Sequence, residues 1–184
     1  MKTRNILSTV GAMLFALSLG DAQGTEPAKP TTDRVGVYDS RIISFAHCWS
    51  EPARKERDAQ VAAAKTAKTS GDTARVTALD EQLSAAQKRS HLQVFSSAPA
   101  DEAMAALKDR LPAIQKELGV ARLVSKWDRT ALKDIPQANQ VDITDRLARE
   151  FNPDAKRLQT IEQMKKSPPL PLDEATKLMQ AGKL

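Results

Sequence analysis

The chain has 184 residues, 41% hydrophobic, 4% aromatic and 28% charged, with a formal net charge of +5. That length fits one ordinary domain, and that apolar fraction is too high for wholesale disorder. One cysteine, Cys48, excludes an intrachain disulfide and thiolate-rich zinc sites, and two histidines, His47 and His91, leave little for a histidine metal site.

Residues 1–5 carry Lys2 and Arg4 and no acid. Residues 6–20 are uncharged and mostly apolar, and small residues follow at Gly20, Ala22 and Gly24. This order predicts a secretory signal peptide over residues 1–24, cleaved after Ala22 or Gly24. The apolar run is shorter than the roughly 20 residues a membrane-spanning helix needs. No cysteine follows either cleavage point, so the usual lipid-anchor signal is missing. An exported basic protein meets envelope polyanions and unfolded chains rather than nucleic acid.

Residues 25–33 (TEPAKPTTD) read as a flexible linker. Val35-Gly36-Val37-Tyr38-Asp39 is the first predicted strand. Asp39 or Ser40 can cap a helix starting near Arg41, whose apolar face is Ile42, Ile43, Phe45, Ala46 and Trp49.

Between residues 51 and 93 the character changes. Eight basic and six acidic residues mix with ten alanines, and there is no proline after Pro52. These are strong helix formers. Ser70-Gly71-Asp72 is the natural break, with Asp72 placed to cap a second helix. Val76, Leu79, Leu83 and Ala86 form a short coiled-coil seam, whereas the first arm offers only Val61 and alanines. The pattern predicts a thin antiparallel helical hairpin over about residues 50–95, protruding from a body.

Phe95-Ser96-Ser97-Ala98-Pro99 interrupts the second arm. Met104, Leu107, Leu111, Ile114 and Leu118 then form the strongest helical stripe of the chain, with Pro112 inside it and Gly119 at its end. Residues 120–127 form the second predicted strand, and Val141-Asp142-Ile143 a short third one before a helix over 145–151. Residues 153–184 read as a charged helix, a Pro-rich elbow at 167–171 and a terminal helix over 173–180. The predicted fold class is α+β, mainly α, with a small β body, the hairpin and a helical C-terminal extension.

The order of these pieces resembles the OmpH family of periplasmic, Skp-like proteins. The residues that carry the likeness are Val35-Gly36-Val37-Tyr38-Asp39, Leu118-Gly119-Val120 into Leu123-Val124-Ser125-Lys126, and Val141-Asp142-Ile143-Thr144-Asp145 with Leu147 and Phe151-Asn152. The resemblance covers residues 34–152. It implies a periplasmic β body that trimerises and carries helical arms around a client cavity. The chain departs from the family in its short hairpin, its split returning arm and the extension at 153–184.

Candidate sites are few. Cys48 beside His47 is a poor nucleophile pair, because neighbours on a helix point about 100° apart. His91 reads as a surface or hinge residue, and Trp127 as the anchor of a small core. Asp39, Asp128, Asp142 and Asp145 fit capping and turn roles better than an acid–base or metal pair. No phosphate-binding glycine loop or hydrolase motif is present. The expectation is therefore a protein that is not an enzyme, with no catalytic residues, cofactor or metal. Its predicted work is holding unfolded or envelope proteins, through an arm whose contacting residues are Arg54, Lys55, Arg57, Val76, Leu79 and Leu83. The basic cluster at Arg54, Lys55 and Arg57 also suits peripheral contact with anionic envelope surfaces. The alternative expectation is a structural or assembly subunit of the envelope.

Overall fold

The computed structural model describes residues 33–184. The signal peptide and most of the linker expected from the sequence lie outside the described residues. Three short strands make one parallel sheet: β1 (Val35–Tyr38), β2 (Arg122–Ser125) and β3 (Gln140–Asp142), in the order β2-β1-β3. Val35 pairs with Arg122 on one side and with Gln140 on the other. The rest is helical: α1 (Ser40–Cys48), α2 (Glu51–Ser70), α3 (Thr73–Phe95), α4 (Asp101–Ala106), α5 (Leu111–Leu118), α6 (Arg129–Leu132), α7 (Thr144–Arg149), α8 (Ala155–Met164) and α9 (Leu172–Gln180). The protein is thus mainly α with a small parallel sheet. None of these helices is long and apolar enough to cross a membrane.

Local chemistry sets the helix limits. Asp39 caps α1 by accepting from the Arg41 N–H, and Asp72 caps α3 by accepting from the Arg75 N–H. Gly71 ends α2 at φ +75°, a conformation costly for any residue with a Cβ. The stripe at 104–118 is two helices rather than one. Pro112 cannot donate to the carbonyl four residues back and its ring would clash there. The chain turns between Leu107 and Arg110 instead, and Pro112 falls in the first turn of α5, where no donor is needed.

The sheet is covered on both faces. Val35, Val37 and Val124 pack against Ala131, Leu132 and Ile135 on one side. On the other lies the main core, centred on Ile42, Ile43, Leu107, Ile114, Ile143 and Leu147. Gly36 faces this side, where a Cβ would come within 2.8 Å of Ile143 and Leu123. Leu111, Met104 and Leu118 are only partly buried, so the weight of the stripe falls on Leu107 and Ile114. We expect Leu107→Ala to cost about 2–5 kcal/mol in denaturant melts. Leu79→Ala, at a half-buried position, should cost clearly less. Equal losses would mean that α3 belongs to the core.

Helices α2 and α3 follow one another across Gly71 and Asp72 and pack together. Ala67 is their only buried residue. Val76, Leu79, Leu83 and Ala86 are half-buried on α3, and Gln60, Ala63 and Ala64 are the half-buried residues of α2 around Ala67. Val61 is 52% exposed and does not enter the seam. Helix α3 also contacts α1 and α9, and the Cys48 thiol lies 3.4 Å from the Ser90 hydroxyl where α1 meets α3.

Candidate functional site

Parallel strands end together, and the C-terminal ends of β1 and β2 carry the densest polar cluster of the body. Asp39, at the end of β1, is fully buried. Its Oδ1 accepts from the Arg41 backbone N–H (3.1 Å), Arg41 Nε (3.1 Å) and Trp127 Nε1 (2.9 Å). Its Oδ2 accepts from Arg41 Nη2 (2.9 Å) and Lys126 Nζ (2.8 Å). The Asp39 backbone N–H donates to Thr144 Oγ1 (3.0 Å), and Arg41 Nη2 also reaches the Met164 carbonyl (3.3 Å). Both cations lie over the Trp127 ring, at 5.1 Å for Arg41 and 4.7 Å for Lys126. The Asp39 carboxylate thus ties the end of β1 to α1 and to the segment after β2, and its backbone N–H adds the start of α7.

Burial alone pushes the Asp39 carboxyl up. The hydrogen bonds from Arg41, Lys126 and Trp127, with the Arg41 charge, outweigh it and hold the group below its ordinary value. A carboxylate kept ionised and saturated with donors is a poor proton acceptor. This cluster is suited to clamping the sheet ends rather than to acid–base chemistry. Reading residue by residue from the sequence identifies Asp39 only as a cap. The missing signal is the pairing of β1 with β2, which delivers Lys126 and Trp127 from 87 and 88 positions along the chain.

The other carboxylates considered from the sequence serve separate bonds and do not meet Asp39. Asp128 accepts from the Ala131 N–H (2.9 Å), Asp142 from the Thr144 N–H (2.9 Å), and Asp145 pairs with Lys165 (2.6 Å). His47 stacks edge-on against Phe151, and burial lowers its pKa despite the opposing influence of Glu102 and Glu56. His91 stacks edge-on against Phe95. Among the described residues, no three His, Cys, Asp or Glu side chains converge to hold a metal.

The residues expected to contact clients fall into two groups. Arg54, Lys55 and Arg57 are exposed on the first turns of α2. Lys55 pairs with Glu51 (2.6 Å). Arg57 lies over Trp49, 5.7 Å from its ring centroid, and donates to the Cys48 carbonyl (3.4 Å). Arg157 of α8 covers the same indole at 4.9 Å. Val76, Leu79 and Leu83 lie on α3 in its first half, and Val76 borders a groove with Ala64 and Lys68 beside the Gly71 turn. Ala64 and Lys68 lie seven or more residues beyond Arg57, about 10 Å or more along α2, so Val76 at least stands apart from the basic cluster. Sequence reading missed Trp49 as part of the exposed surface; it stays 44% accessible between its two arginines.

In comparisons with known proteins, no family model, no curated protein and no solved structure matches the chain.

Proposed function

We propose that this protein is an exported, non-catalytic binding protein of the holdase type. In this reading α2 and α3 form an antiparallel hairpin that projects from the β body and engages unfolded or envelope polypeptides. The resemblance to the OmpH family supports it, and adds a periplasmic location and a homo-oligomer, a trimer by that likeness. The observation that carries the reading is the burial of the two longest helices. Helices of 20 and 23 residues bury one alanine between them. Most helices in folded proteins are held by packing an apolar face, and these two contribute little to the core. Their surface is the product. It carries charge of both signs, the half-buried Val76, Leu79 and Leu83, the exposed Val61 and Phe95, and Trp49 at the base. Scattered apolar spots beside charge suit weak contact with many unfolded segments better than one tight interface.

The test is client range. The mature protein is mixed with several unrelated denatured proteins and light scattering follows their aggregation. A holdase suppresses aggregation of most of them at near-stoichiometric ratios. Failure with all of them, together with recovery of one stable envelope partner by cross-linking, would replace the holdase reading by that of an assembly subunit.

A further inference from the structure

The end of the chain lies on the returning arm. After α8 a Pro-rich elbow, Ser167-Pro168-Pro169-Leu170-Pro171, leads into α9, which packs on α3. Leu170 bridges Ser96 in parallel register: the Ser97 N–H donates to the Leu170 carbonyl and the Leu170 N–H to the Phe95 carbonyl, both at 3.0 Å. Ala175 is fully buried, with Leu178 and Met179 half-buried beside it. This i, i+3, i+4 set is the anchor pattern of a helix seated in a groove. Toward the end of α3, His91, Leu92, Gln93 and Val94 are half-buried.

The seat is lightly fastened. Apart from the two backbone bonds at Leu170, no hydrogen bond or ion pair among the described residues ties α9 to another element. A helix of nine residues is not stable alone in water, so α9 keeps its form only while docked. The prolines before it form a stiff spacer on which it can leave and return. Apolar surface stays exposed on either side of the bridge: Phe95, the last residue of α3, is 51% exposed and Leu172, the first of α9, 41%.

We propose that the α3 face under α9 is a docking surface for short amphipathic segments of an unfolded polypeptide, and that α9 occupies it as an intramolecular stand-in that such segments displace. The nature of the occupant rests on the holdase reading. Its chemistry is that of α9 itself: small and aliphatic anchors at helical spacing, with little charge on the seated side. A tethered competitor would keep the surface covered until client is abundant, lowering apparent affinity by the fraction of time the site is open.

The experiment uses the full mature chain and its Ala175→Asp variant, which puts a charge into the buried side of α9. A protein ending at Ser167 is the second variant, for the case in which Ala175→Asp does not fold. Two probes are used: a labelled peptide of residues 168–184, and reduced, alkylated lysozyme as a permanently unfolded chain. A site open one-tenth of the time gains about ten-fold in apparent affinity when it is uncovered. Both probes should therefore bind the variant about ten-fold more tightly than the parent, and each should displace the other. Amide exchange at residues 91–95 should quicken in the variant and slow again with the peptide. A folded variant that does not bind the peptide overturns the docking surface. Peptide binding with equal affinity of parent and variant for unfolded lysozyme overturns the displacement and leaves the holdase reading standing. Peptide binding with no lysozyme binding by either protein overturns the proposed occupant and the holdase reading together.

Discussion

Asp39→Asn should cost about 3–5 kcal/mol of folding stability at neutral pH, the usual loss when one partner of a buried ion pair is removed. The substitution keeps size and leaves one oxygen to accept from Trp127 Nε1 and the Arg41 N–H. What it removes is the counter-charge of Arg41, which is itself 5% exposed and has no solvent to turn to. Lys126, with its side chain 28% exposed, can swing outward. Lys126→Ala should therefore cost about 1 kcal/mol or less. The pH dependence has a definite sign. The folded carboxyl lies below its ordinary value, so the unfolded chain takes up the proton first. The stabilisation is complete above the unfolded value of about 3.9 and is lost as pH falls through the folded value. Denaturant melts from pH 7 to pH 3 should show the parent losing its advantage over Asp39→Asn below about pH 4. A variant as stable as the parent at pH 7 would show that the cluster is decoration on the sheet rather than its clamp.

Local order was largely legible in the residues, and long-range pairing was not. The breaks at Gly71, at Ser96 and at Gly119 follow from backbone chemistry acting over a few positions. The caps at Asp39 and Asp72 follow in the same way. Pro112 showed that the helix after Pro99 would be disturbed, but its place in a first turn depends on where the chain could restart. The three strands were visible as short β-branched pieces. Their parallel order was not, since strands of three and four residues have too little pattern to choose a neighbour. The buried ion cluster was hidden for the same reason: Asp39, Lys126 and Trp127 meet only after β1 and β2 pair. On α3 the half-buried row Val76, Leu79 and Leu83 could be read from its spacing. The α2 side could not, because in an alanine-rich helix almost any face can serve, and Val61 drew attention to the wrong one. The seat of α9 on α3 had no signal at all beyond its amphipathic spacing.

Replacing residues 62–86 by a short Gly-Ser turn should leave the body folded and abolish the holding of unfolded clients. The reasoning begins with burial. The replaced segment contains one buried residue, Ala67, and that residue is not part of the main core. The main core draws on α1, α4, α5, α7 and α8, together with Ala100, Leu107 and Ile143. Nothing in that set leaves with the deletion. The contacts of the arm's base, including Cys48 with Ser90 and Arg89 with Glu102 at 3.0 Å, lie outside it. Thermal unfolding of the shortened protein should thus stay cooperative, with a midpoint within a few degrees of the parent. The functional half depends on where the client surface lies. The deletion removes Val61's neighbours along with Val76, Leu79 and Leu83, and most of the charged length of both helices. Arg54, Lys55, Arg57 and Trp49 remain. If clients are held along the arm, aggregation suppression disappears while the melt is preserved. A body that fails to fold would refute the division between core and arm, and a folded body that still holds clients would move the site to Trp49 and the arginines around it.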